Sequence, residues 1–71
     1  MTNTAKLKAK IVEKGMVQEE IAQALGMTIA TFNYKVNNKR EFKASEIKRL
    51  SEHLSLTAEE VNTIFFAEEV E

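Results

Sequence analysis

The stretch Gln18-Glu19-Glu20-Ile21-Ala22-Gln23-Ala24-Leu25-Gly26-Met27-Thr28-Ile29-Ala30-Thr31-Phe32 reads as two short helices broken by one glycine, with Ala22 and Gly26 four residues apart. Each part has its own physical reason. Ile21, Leu25, Met27 and Phe32 supply apolar anchors, Ala22 is small enough to let a second helix approach, and Gly26 permits the positive φ of a turn. Thr28 stands where its hydroxyl can cap the second helix. This is the sequence form of a helix-turn-helix, over about residues 17–36. A second helix of that kind is built to enter a DNA major groove.

Composition narrows the field independently. A chain of 71 residues makes one domain, residues 1–71, with a small core that is marginal alone and helped by dimerisation. Without cysteine there is no disulfide, thiolate metal site or thiol nucleophile. The single His53 and the absence of Asp leave little for metal binding or acid–base chemistry, so no metal, no cofactor and no enzymatic activity are expected. No apolar run approaches the roughly 20 residues of a membrane span, and the lysine-rich start lacks the apolar core of a signal peptide. The expectation is a soluble, cytoplasmic protein.

A net charge of −1 argues against nucleic-acid binding when taken as one number, because phosphate contacts need concentrated positive charge. Its distribution reverses the argument. Residues 1–50 carry all ten Lys and Arg against five Glu, a net of +5, while residues 51–71 carry six Glu and no cation, a net of −6. The basic part contains the helix-turn-helix. A DNA-facing side and a side turned away produce such a split, although an acidic tail that only aids solubility is compatible with it.

No proline, only two glycines, and apolar residues at three and four spacing predict an all-α fold of five short helices. The first spans about Thr4 to Lys14, with Leu7 and Ile11 on one face and Gly15 ending it. The second runs from about Val17 to Ala24, with Glu19 and Glu20 in the first turn where the helix dipole favours anions. A third, about Thr28 to Val36, is stopped by Asn37-Asn38, since Asn tolerates a left-handed conformation. A fourth, about Lys43 to Leu54, carries Ile47, Leu50 and Leu54 on one stripe. The fifth, acidic and about residues 57–67, opens with a capping box between Thr57 and Glu60 and turns Val61, Ile64 and Phe65 inward. Met16 and Met27 fall at interior positions.

In these residues the chain resembles the lambda-repressor-like, Cro-type helix-turn-helix family, and most closely its small phage and prophage regulators. The resemblance covers roughly residues 5–66. It rests on Gly15, on Gln18 through Ala22, on Leu25-Gly26-Met27-Thr28, on Thr31-Phe32, and on Asn37-Asn38-Lys39-Arg40, with Leu50, Leu54, Leu56 and Val61 at later core positions. It implies a compact DNA-binding domain acting as a repressor that occupies operator DNA. Four departures stand out, one of them Lys35, which takes the place of a more usual apolar residue in the third helix, so that the inward face of that helix is rotated by one residue. Val17 replaces the usual Ser or Thr cap of the second helix, forfeiting about 1 kcal/mol. Asn38 replaces the usual Gly after the third helix. Ile11 and Val36 stand where relatives carry an arginine and its acidic partner, so an apolar contact between them is expected in place of an ion pair.

Geometry and the resemblance together nominate the contacts. Ile29, Ala30, Asn33 and Tyr34 point outward from the third helix and are the base-contact candidates. Asn33 can donate to and accept from an adenine edge, whereas Ile29 and Ala30 read thymine methyls or simply fit the groove. The apolar tip favours A·T-leaning sites or dependence on DNA shape. Backbone-contact candidates are Gln18, Thr28, Thr31, Lys35, Asn37, Lys39, Arg40 and Lys43, for which a solvated helix face is the bland alternative.

Other features have structural explanations. His53 near the end of the fourth helix suits the dipole, and the Glu pairs at 19–20 and 59–60 belong to first turns rather than to a catalytic dyad. Phe66 and Val70 are candidate dimer contacts, and a twofold homodimer through the end of the chain would match a palindromic operator. A second reading uses the same fold as a protein-interaction module, an antirepressor or modulator that binds another regulator through the acidic fifth helix.

Overall fold

The computed structural model describes residues 1–66. Among them the chain forms helices α1 (Thr4–Glu13), α2 (Gln18–Ala24), α3 (Ile29–Val36), α4 (Ala44–His53) and α5 (Ala58–Val61), the last continuing into a π-helical turn (Asn62–Phe66), with no strand. The end of the expected fifth helix, and Val70, lie outside the described residues. Boundaries fall within a residue or so of the periodicity: Val17, Thr28 and Lys43 are the residues just before α2, α3 and α4 rather than their first helical residues.

The starts of the helices follow from side chains acting within one turn. Asn3 Oδ1 accepts from the Lys6 N–H, Thr28 Oγ1 from the Thr31 N–H, and Thr57 Oγ1 from the Glu60 N–H, each at 3.1 Å. Glu60 answers by accepting from the Thr57 N–H at 2.9 Å, which completes the expected capping box. Glu46 accepts from the Lys43 N–H at 2.8 Å, giving α4 half of such a box. Val17 makes no side-chain cap, so the first turn of α2 lacks that stabilisation.

Four helices end by one device. A left-handed residue turns the chain, and its N–H and the next reach back to carbonyls near the helix end, the pattern of a Schellman motif. In α1 and α2 that residue is glycine, Gly15 at φ +68° and Gly26 at φ +72°. Neither glycine has a heavy atom within 4 Å of where a Cβ would stand, so backbone conformation, not space, calls for glycine. In α3 and α4 the same place is taken by Asn38 (φ +63°) and Ser55 (φ +52°). The closing bonds Met16 N–H to Ile11, Met27 N–H to Ala22, Lys39 N–H to Tyr34 and Leu56 N–H to Ser51 are equivalent across the four.

One apolar cluster holds the helices together. Leu7 and Ile11 of α1, Ile21 and Ala22 of α2, Phe32 and Val36 of α3, and Leu50 of α4 are buried in it, joined by Leu25, Leu54, Ile64 and Phe65. Ile11 and Val36 both belong to it, 3% and 0% exposed. Met16, Met27, Ile47, Leu56 and Val61 pack around the outside. Phe42, in the loop between α3 and α4, sits at the centre of an aromatic row, edge-on to Phe32 at 6.0 Å and to Phe65 at 5.7 Å between ring centroids. Sequence periodicity gave no sign of it, because a loop residue belongs to no helical stripe.

Polar contacts tie the chain's beginning to its middle. The Asn38 side chain accepts from the Thr2 N–H and donates to the Thr2 carbonyl, both at 2.9 Å, while the Thr4 hydroxyl donates to the Val36 carbonyl at 2.6 Å. Asn38 therefore does more than end α3: it fastens residues before α1 to the end of α3. Lys10 of α1 pairs with Glu60 of α5 and with Glu13. The hydrogen bonds from Lys10 and from the Thr57 N–H hold the Glu60 carboxyl down at about 2. No helix among the described residues is long and apolar enough to cross a membrane.

Candidate functional site

Helix α3 has two faces. Phe32, Lys35 and Val36 are buried, whereas Ile29, Ala30, Tyr34 and Asn37 are exposed, with Asn33 half-buried among them. Positions 29, 30, 33, 34 and 37 recur at the spacing of one helical stripe, so the four base-contact candidates share a surface. Ile29 is 38% and Tyr34 59% exposed. Helix α2 packs across α3, and Ala22, 2% exposed, lies where that packing buries it.

Hydrogen bonding divides the polar residues of this surface into those with a donor to spare and those without. The Thr28 hydroxyl accepts from the Thr31 N–H and gives its own proton to the Thr31 hydroxyl at 3.0 Å. Thr28 is thus a cap whose proton is spent, and Thr31 is the hydroxyl that keeps one. Asn37 turns its amide back to the Asn33 carbonyl at 2.9 Å, serving the end of its own helix. Gln18, half-buried, opens α2 directly after the uncapped Val17.

Lys35 departs from its expected place at the phosphate rim. It is 6% exposed, and its ammonium bonds Glu46 Oε1 at 2.7 Å in the first turn of α4. The cause is the helical period: Lys35 lies one turn after Phe32 on the inward stripe, so its methylene stem is packed and its charge needs a partner. Burial works to raise the Glu46 carboxyl, but the hydrogen bonds from Lys35 and from the Lys43 N–H outweigh it and hold the group below its usual value. The pair clamps α4 to the end of α3. A pattern of one lysine and one glutamate 11 positions apart carries no local signal, which is why the sequence did not reveal it.

The remaining cations follow directly from that clamp. Lys39, Arg40 and Lys43 are exposed in and after the turn that closes α3, and Lys48 and Arg49 are exposed on α4. None of the five makes an ion pair among the described residues. Lys48 and Arg49 fall in the same basic run, although no motif marks them individually. Glu41 is exposed within it. Lys10, by contrast, is engaged by Glu60 and Glu13, and its pKa is raised chiefly by the hydrogen bond to Glu60.

A second surface lies elsewhere. Phe66 is 59% exposed, its ring 6.5 Å from that of Phe65. Beside it an open groove of about 840 Å³ runs between Met1, Thr2, Asn38, Phe42 and Phe65, sharing none of its lining with the outward stripe of α3. Among the described residues no group of three or more His or acidic side chains gathers as a metal site.

The sequence profile of a family described as a protein of unknown function, DUF739, matches residues 2–68. No curated protein matches the chain. Because the profile takes in every helix described above, from the Thr2 clamp through the π-helical turn, the chain belongs to the DUF739 family.

Proposed function

We propose that this protein is a sequence-specific double-stranded DNA-binding regulator, a Cro-like repressor that occupies operator DNA with α3 in the major groove. The observation that carries the reading is the outward face of α3: a capped eight-residue helix, braced by α2 and clamped to α4, with its outer stripe exposed and, at its end, cations that make no ion pair among the described residues. A helix with its side chains is about 10–12 Å across, a diameter that a groove about 12 Å wide admits. Asn33 and Tyr34 supply hydrogen-bonding groups toward base edges. Lys39, Arg40 and Lys43, with Lys48 and Arg49 beyond them, supply charge for the phosphates, and Thr31 a hydroxyl proton.

Lys35 drops out of the phosphate set, since a buried ammonium bonded to Glu46 cannot also neutralise a phosphate. Thr28 contributes position rather than its hydroxyl. The exposed Phe66 favours a homodimer as the form that binds, with two copies of α3 about one DNA turn, roughly 34 Å, apart.

Selection from a randomised duplex library at near-physiological salt tests the reading. An enriched palindrome with half-sites about 10 base pairs apart supports the dimeric regulator. In binding to that site, each of K39A, R40A and K43A lowers the log–log salt slope by about 0.9 if the cation meets a phosphate. Retention that enriches no sequence and ignores these substitutions overturns the proposal in favour of a module that binds another regulator.

A further inference from the structure

We infer that the first turn of α3 is a reader of pyrimidine C5-methyl groups: it recognises thymine by its methyl, and accepts 5-methylcytosine as carrying an equivalent methyl. The inference rests on the reading of α3 as the base-contacting helix and specifies the chemistry that it recognises. The exposed side chains of that turn are Ile29 and Ala30, neither of which can donate or accept a hydrogen bond.

Of the polar side chains in that turn, Thr28 gives its proton to Thr31, and Thr31, half-buried at the edge, keeps its own. What remains at the tip is a small apolar surface of Ile29 and Ala30 methyl and methylene groups. In a major groove the sole apolar feature on a base edge is the C5-methyl of thymine, or of a methylated cytosine. An unmethylated pyrimidine leaves a methyl-sized gap against Ile29, so the tip discriminates against it as well as favouring the methylated base. Asn33 and Tyr34, one turn later, leave hydrogen-bond readout to the neighbouring base pair.

The test uses the unaltered protein and modified DNA. In the selected duplex, each thymine is replaced singly by deoxyuridine, which removes the methyl and keeps every hydrogen-bonding group and the pairing with adenine. Binding weakens about four-fold at each contacted thymine, the worth of one methyl-sized group kept from water. At the same position a C·G pair carrying 5-methylcytosine binds about four-fold tighter than the unmethylated pair, by the same argument. In the variant I29A, checked for its helical signal and melting, both differences shrink toward unity. If deoxyuridine binds as well as thymine at every position while the duplex is still specifically bound, methyl readout is overturned and DNA binding stands. If no duplex is specifically bound, both fall.

Discussion

Asn38 serves two purposes that substitution can separate. Its backbone holds φ +63° at the end of α3, and its side chain makes two 2.9 Å hydrogen bonds to the Thr2 main chain. N38G keeps the left-handed backbone without steric penalty and deletes both bonds. At about 1 kcal/mol each, N38G costs about 2 kcal/mol. N38A deletes the same bonds and adds about 1 kcal/mol for a Cβ in the left-handed region, about 3 kcal/mol in all. N38D keeps the acceptor for the Thr2 N–H but sets an oxygen against the Thr2 carbonyl, so it falls with N38G rather than with the parent. A domain of this size has roughly 4–10 kcal/mol of stability, so these losses are large fractions of the whole. Urea unfolding followed by far-ultraviolet circular dichroism measures them, and the melting temperature of N38G drops by about 10 °C. An N38G variant as stable as the parent, or more so, would show that the Thr2 bonds contribute nothing and that Asn38 is a glycine substitute alone.

The Lys35–Glu46 pair is asymmetric, since Lys35 has one partner and Glu46 also holds the Lys43 N–H. E46A strands a buried ammonium and costs about 3 kcal/mol, whereas K35M fills the same space with an apolar stem and costs under about 1 kcal/mol; equal losses on denaturant unfolding would refute the asymmetry. V17S supplies the missing cap of α2 and raises stability by about 1 kcal/mol, read as a higher urea midpoint at unchanged slope. Glu60 is depressed from 4.5 to about 2 by Lys10 and the Thr57 N–H, and Glu46 is lowered too. A carboxyl lowered in the folded state stabilises fully above its unfolded pKa and loses that contribution as pH falls through the folded one. The parent therefore weakens steadily from about pH 4.5 toward pH 2, and E60Q has a shallower acid dependence over that window; identical pH profiles would remove Glu60 from the account.

What the sequence determined by itself was local. Gly15, Gly26 and Asn38 as helix terminators, Thr28 and the Thr57–Glu60 box as starts, and the stripes of Leu7, Ile11, Leu50 and Leu54 depend on residues within about one or two helical turns of each other. Their spacing encodes those interactions directly. The outward stripe of α3 was legible for the same reason: once Phe32 and Val36 face inward, positions 29, 30, 33 and 34 face out. Ser55 escaped notice because serine, unlike glycine or asparagine, is not marked by composition for a left-handed turn, although the chain puts it in one.

Only the tertiary structure decided what depends on distant partners. Phe42 is buried because Phe32 and Phe65 meet it from two other elements, and no periodicity runs through a loop. Lys35 faces inward by the helical period, but only the fold brings Glu46, 11 residues on, within reach of its ammonium, and Lys10 is drawn from the basic surface by Glu60 across α1 and α5. Asn38 reaches a backbone 36 positions away. Which cations are paired and which stay exposed depends on those pairings. A charged side chain has the same formula in the sequence whether it is paired or free, and folding alone brings the partner within reach.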